Sequence, residues 1–159
     1  MKNQKGYLLI ESVVAITLLV IGFLGMLSLL SNSIALNRVV NDQFIANYLA
    51  MEGIEVVKNI VDGNIIQGKP WNENINNGDF EVDYTSSQLE NNQQRYISFD
   101  AINNRYNYQI GVQTAFKRSV SIEFIDPNEI KINSIVKWSG RGGGKFEINL
   151  EDYFFNWKS

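Results

Sequence analysis

From Tyr7 to Leu30 the chain runs for 24 residues with one charged side chain, Glu11. Beyond Tyr7 the other polar side chains of this run are hydroxyls, Ser12, Thr17 and Ser28. At ~1.5 Å per residue a helix of this length spans roughly 36 Å, enough to cross a hydrocarbon core of about 30 Å with some tilt. A charge at the centre of such a helix costs about 2.5 to 3.5 kcal/mol on insertion scales, and less near an interface. The run therefore dictates a membrane-length helix as the first element and leaves Glu11 in need of a cation.

Three readings of the run differ in what they do with its flanks. A secretory signal peptide has an apolar region of about 7 to 15 residues before a small-x-small cleavage site. Ser33-Ile34-Ala35 fits that site loosely, but the run is too long and Glu11 interrupts it. A plain single-pass anchor, oriented with its N-terminus in the cytoplasm by Lys2 and Lys5, leaves the carboxylate incidental, and intramembrane carboxylates are rarely incidental. In the third reading the chain is cut after Gly6, and the new ammonium at Tyr7 lies one helical turn from Glu11. At ~4 Å and an effective dielectric near 20, that pair has a Coulomb energy of about 4 kcal/mol before desolvation is subtracted.

The segment "KGYLLIESVVAITLLVIGFLGMLSLL" resembles the N-terminal processing and methylation segment of type IV prepilins and pseudopilins. In that family a short basic leader ends in glycine before a long apolar helix. The resemblance implies a leader "MKNQKG" (residues 1–6), cleavage between Gly6 and Tyr7 by a membrane-embedded prepilin peptidase, methylation of the new N-terminus, and Glu11 as the fifth mature residue. Tyr7 departs from the phenylalanine usual at that place. The resemblance also implies that Glu11 meets the N-terminal ammonium of a neighbouring subunit during assembly. The partners implied are other pilin subunits, the prepilin peptidase and a pilus or secretion assembly platform. "AMEGIEVVKNI" resembles a segment common in minor pilins, which favours a minor subunit.

Helical patterning continues beyond the apolar run. Ile45, Leu49, Val56 and Ile60 form a stripe at helical spacing with Gly53 inside it, and no breaker separates Leu30 from Asn41. One helix from about Tyr7 to Val61 is expected, stopped by Asp62-Gly63. Glu52, Glu55 and Lys58 read as a solvated helical face. Gly22 and Gly25 each cost roughly 1 kcal/mol relative to alanine in a helix, and suit close approach of neighbouring helices as well as they suit an ordinary membrane span.

After residue 63 the period changes. "DGNIIQGKPWNENINNGDF" reads as a long surface loop, and Phe80, Val82 and Tyr84 alternate with Glu81 and Asp83 as a half-buried strand. "SSQLENNQQR" reads as another loop, before "YISF" and a turn at "INNRYN". The clearest strands come last: Val120-Ile122-Phe124, Ile130-Ile132-Val136-Trp138 and Phe146-Ile148-Leu150, joined by turns at 126–129 and 139–144. The final "FFNW" is expected to close the edge of the core. The fold class expected is α+β, a long N-terminal helix packed on a small antiparallel sheet. The pilin resemblance implies the same arrangement. Its divisions are a leader at 1–6, a membrane or filament-core helix at 7–31 and a headpiece at 32–159.

Several chemistries are excluded or disfavoured. The chain has no cysteine and no histidine, which removes disulfides, thiolate chemistry, Cys or His metal sites and any triad with a His base. "GRGGGK" lacks the Ser or Thr of a P-loop, Phe146 following Lys145, and falls between strands as a turn. Glu151 and Asp152 are adjacent and point to opposite faces of a strand, a poor acid–base pair. Asp100, Asn103 and Asn104 lack the spacing of a calcium loop. No catalysis, cofactor or metal is expected. Residues 41–104 hold ten acids and three bases (−7), and residues 105–159 eight bases and six acids (+2). Lys117, Arg118, Lys131, Lys137, Arg141 and Lys145, with Tyr106, Tyr108 and Trp138 near in sequence, make nucleic-acid binding, as in a competence pilus, the alternative to a structural role. A membrane-anchored β-rich binding domain is the other alternative.

Overall fold

The computed structural model describes the backbone of residues 4–157 and side chains from Tyr7 onward. Residues 1–3 of the expected leader, Lys2 among them, lie outside the described residues. The fold is α+β: helix α1 (Gln4–Ile66) is followed by eight strands, β1 (Gly78–Glu81), β2 (Glu90–Asn91), β3 (Ser98–Asp100), β4 (Arg105–Asn107), β5 (Val112–Gln113), β6 (Lys117–Asp126), β7 (Glu129–Ser139) and β8 (Lys145–Phe155). The chain divides into one unit that ends at Asp42 and a second that begins at Gln43.

In the second unit the strands form two antiparallel sheets, one ordered β2-β1-β6-β7-β8 and a small one ordered β4-β3-β5. The three long strands β6, β7 and β8 are those that alternation predicts, joined by the expected turns. On β6 and β7, Val120, Ile122, Ile130, Ile132, Val136 and Trp138 are buried against the helix, with Arg118 on β6 and Ser134 on β7 the polar residues of that series. Helix residues Ala46, Leu49, Ala50, Val56, Val57, Val61 and Ile65 cover them. The stripe is thus centred one residue beyond the expected one, and Ile45 and Ile60 flank it.

Gly53 lies where helix and sheet approach closely. A Cβ there would lie 2.4 Å from Ser134 Oγ and 3.1 Å from both Arg118 Cδ and Val120 Cγ2. The helical cost of glycine is outweighed by the packing it permits.

Four expectations need correction. The helix does not stop at Asp62-Gly63 but runs to Ile66, because Ile65 extends the buried stripe. It ends in a Schellman arrangement in which Lys69 N donates to Asn64 O and Gly68 N to Ile65 O, with Gly68 at φ 71° and Pro70 two residues further on. The stretch after it is no plain surface loop, since Trp71 and Ile75 are buried in the core and Asn64 Nδ2 donates to Trp71 O and Glu73 O. Around β1 the alternation fails: Glu81 and Asp83 are each only 1% exposed, whereas Tyr84 is exposed. At the C-terminus only Phe154 packs on the core, while Phe155 and Trp157 are exposed.

Candidate functional site

In the first unit, the segment from Tyr7 to Leu30 is helical and exposed along its whole length. It is long and apolar enough to cross a membrane. Two of its hydroxyls are satisfied within the helix, Ser12 Oγ donating to Leu8 O at 2.8 Å and Thr17 Oγ1 to Val13 O at 2.7 Å. Hydroxyls satisfied in this way cost little in an apolar surrounding. Glu11 has no such solution: among the described residues none of the ion pairs involves it. The expected site residues Gly6, Tyr7 and Glu11 all lie within the first eight residues of α1, with Tyr7 and Glu11 exposed. Gly22 and Gly25 have no heavy atom within 4 Å of a Cβ placed on them, so both are open to a neighbouring helix.

The second unit contains a polar framework that local periodicity does not reveal. Arg118 is 2% exposed, and its guanidinium donates to the helix carbonyl Leu49 O at 2.7 Å, to Glu52 Oε2 at 2.9 Å and to Val82 O. It therefore joins helix, β6 and the end of β1. Glu52 is not part of a solvated face, although Glu55 and Lys58 are exposed. Burial removes Arg118 from the basic surface available to a nucleic acid.

The buried carboxylates organise loops. Glu81 Oε1 accepts from Gln93 N and Arg95 N at 3.1 and 2.8 Å, and Glu81 Oε2 pairs with Arg95 Nε. Arg95 reaches on to Glu90 at 2.8 Å and lies 4.8 Å from the Tyr108 ring centroid. Asp83 accepts from Thr85 N, Thr85 Oγ1, Ser86 Oγ and Tyr108 N. Asp100, considered above for calcium, accepts instead from the amides of Ile102 and Asn103 and from Asn103 Nδ2, which closes the β3–β4 turn.

Burial pushes the Asp83 carboxyl upward, but hydrogen bonds from Thr85, Tyr108 and Gln109 outweigh it and hold the group below the usual carboxylate range. A carboxyl whose pKa is lowered on folding contributes stability above its unfolded value of about 3.9, and that stability is lost as pH falls through the folded value. Asp83→Asn is expected to lower stability at pH 7 by about 1 to 3 kcal/mol, through weaker acceptance from these donors. It also flattens the decline of melting temperature below about pH 4. Parallel wild-type and variant acid curves contradict this role.

On the solvent face of the large sheet, Lys131 pairs with Glu151 at 2.7 Å and Lys137 with Glu147 at 3.3 Å. On the helix side turned away from the sheet, Phe44, Tyr48 and Met51 are exposed at spacings of four and three. No family model, curated protein or solved structure matches the chain.

Proposed function

We propose that the chain is a minor type IV pilin or pseudopilin, a subunit held in the cytoplasmic membrane and then built into an extracellular or periplasmic filament, where it serves assembly or priming. The observation that carries this reading is the combination of a short basic leader ending in Gly6, a carboxylate five residues later and an apolar helix of membrane length. Glu11, unpaired among the described residues in a segment whose Ser12 and Thr17 hydroxyls are satisfied, supports an assembly role. A helix with exposed aromatic and sulfur side chains on the side away from its sheet suits packing against neighbouring subunits. The partners of this reading are other pilins, the prepilin peptidase and an assembly platform, and it assigns the chain no catalysis.

The nucleic-acid alternative loses support, because Arg118 is buried and Lys131 and Lys137 face acids. Processing is tested directly by mass spectrometry of membrane and filament fractions from cells that carry the peptidase. The expected N-terminus is Tyr7, carrying a methyl group, and loss of Lys2 and Lys5 takes the formal charge from −3 to −5. Assembled protein that retains Met1, or that begins near Asn37, contradicts the proposal.

A further inference from the structure

The two ends of the β6–β7–β8 sheet expose apolar groups of different kinds under opposite charge. At one end Asp126, Glu129 and Phe155 lie side by side, and Asn156 N donates to Asn128 O beyond them. Here Tyr153 and Phe155 stand opposite Lys131 and Glu129 on the solvent side, and Trp157 follows at the next alternate position. Trp157 is 72% exposed, and Ile125 at the end of β6 is 50% exposed. Five acids, Glu123, Asp126, Glu129, Glu151 and Asp152, share this end with one base, Lys131, an excess of −4 (one base less five acids).

The opposite end begins at Lys117 and adjoins the small sheet, where Ile97 N donates to Phe116 O and Thr114 N to Ile97 O. On that sheet and its turns Ile102, Ile110 and Val112 are 93%, 66% and 75% exposed. Residues 96–117 hold two bases, Arg105 and Lys117, and one acid, Asp100, which is buried and bound within its own turn. Single exposed apolar residues are ordinary, but grouped ones mark interaction sites. About 30 Å of strand separates the two groups, at ~3.3 Å per residue. Each end is therefore complementary to the other and repels its own kind. We propose that the aromatic, acidic end of one copy docks on the aliphatic, basic end of a second copy of this chain. Such a contact is heterologous, so it leaves one surface free at either end for the next copy. Displacement along the strands also keeps all copies in one orientation, as anchoring in a single membrane requires. A two-fold contact through either end sets like charges against each other. The contact names the neighbour in the pilin reading, and its role in a filament rests on that reading.

Because the chain has no cysteine, single introduced thiols report the contact. Ala101→Cys marks the turn beside Ile102 and Pro127→Cys the turn between β6 and β7, both at exposed positions. The two full-length variants, purified in detergent micelles, are treated with a short bismaleimide separately and after mixing. The mixture is expected to give about tenfold more cross-linked dimer than either variant alone, in a yield that falls with salt. Arg105→Glu in the Ala101→Cys copy is expected to lower that yield about fivefold, and Glu123→Lys with Glu129→Lys in the Pro127→Cys copy to restore it by exchanging the facing charges. Lys58→Gln, on the exposed side of the helix, leaves the yield as it is. Fluorescence of the buried Trp71 and Trp138 checks that each variant is folded. Equal dimer in the unmixed samples overturns the proposal. So does a mixture without excess dimer, or a charge exchange that fails to restore it. Processing at Gly6 is measured separately, so a Tyr7 N-terminus without this contact rejects the contact and leaves the pilin reading standing.

Discussion

Arg118→Ala is expected to destabilise the second unit by about 3 kcal/mol, within the range for breaking a buried ion pair by removing one partner. The guanidinium satisfies Leu49 O, Val82 O and Glu52 together. Leu49 O still has its helical position, but Val82 O has no comparable substitute, and the vacated volume lies directly over Gly53, where no side chain can fill it. Glu52 is the least damaged partner, since 28% of its side chain reaches solvent. At roughly 4 to 8 °C per kcal/mol for a domain of about 100 residues, the melting temperature should fall by more than ~10 °C. Intrinsic fluorescence follows the transition through Trp71 and Trp138, both buried. In a cycle with Glu52→Gln, the two changes together should cost less than the sum of each alone, by about 1 to 3 kcal/mol. A melting temperature within a degree or two of wild type removes the structural role of Arg118.

Much of the scaffold is legible from local pattern because its driving force is local. Strands β6, β7 and β8 each carry an alternation long enough to fix which side faces the core, and the turns between them are rich in Asp, Asn, Pro and Gly. The helix is equally plain, but its end is not: Gly63 and Gly68 are both plausible stops, and burial of Ile65 decides between them. Glu81 and Asp83 defeat periodicity because the groups that receive them lie far along the chain, at Gln93, Arg95 and Tyr108. Arg118 and Glu52 are separated by 66 residues, and the charge of a basic residue on a strand reads as outward-facing. The one available signal was parity, since Arg118 shares the register of Val120 and Ile122. Strands β3, β4 and β5, of two or three residues, are too short for any period to register.

Glu11 belongs to the opposite case, a candidate site written almost entirely in spacing. Glu11→Ala and Glu11→Gln should leave membrane insertion and the fold of the second unit unchanged while reducing incorporation into filaments about ten- to a hundredfold. This corresponds to the part of a ~4 kcal/mol Coulomb attraction that survives desolvation. Glu11→Val should insert at least as well as wild type, because it removes the one charged group from the apolar segment. The chain's lack of cysteine makes the measurement clean: a single Cys introduced at Leu19 reports contact between copies by disulfide cross-linking, with no background thiols. Insertion is followed in parallel by resistance to alkaline extraction. If the carboxylate only sets depth in the membrane, insertion and cross-linking change together. If it sets the register of one subunit on the next, cross-linking falls while extraction resistance holds. Unchanged cross-linking in Glu11→Ala therefore removes the assembly role even where processing at Gly6 is intact.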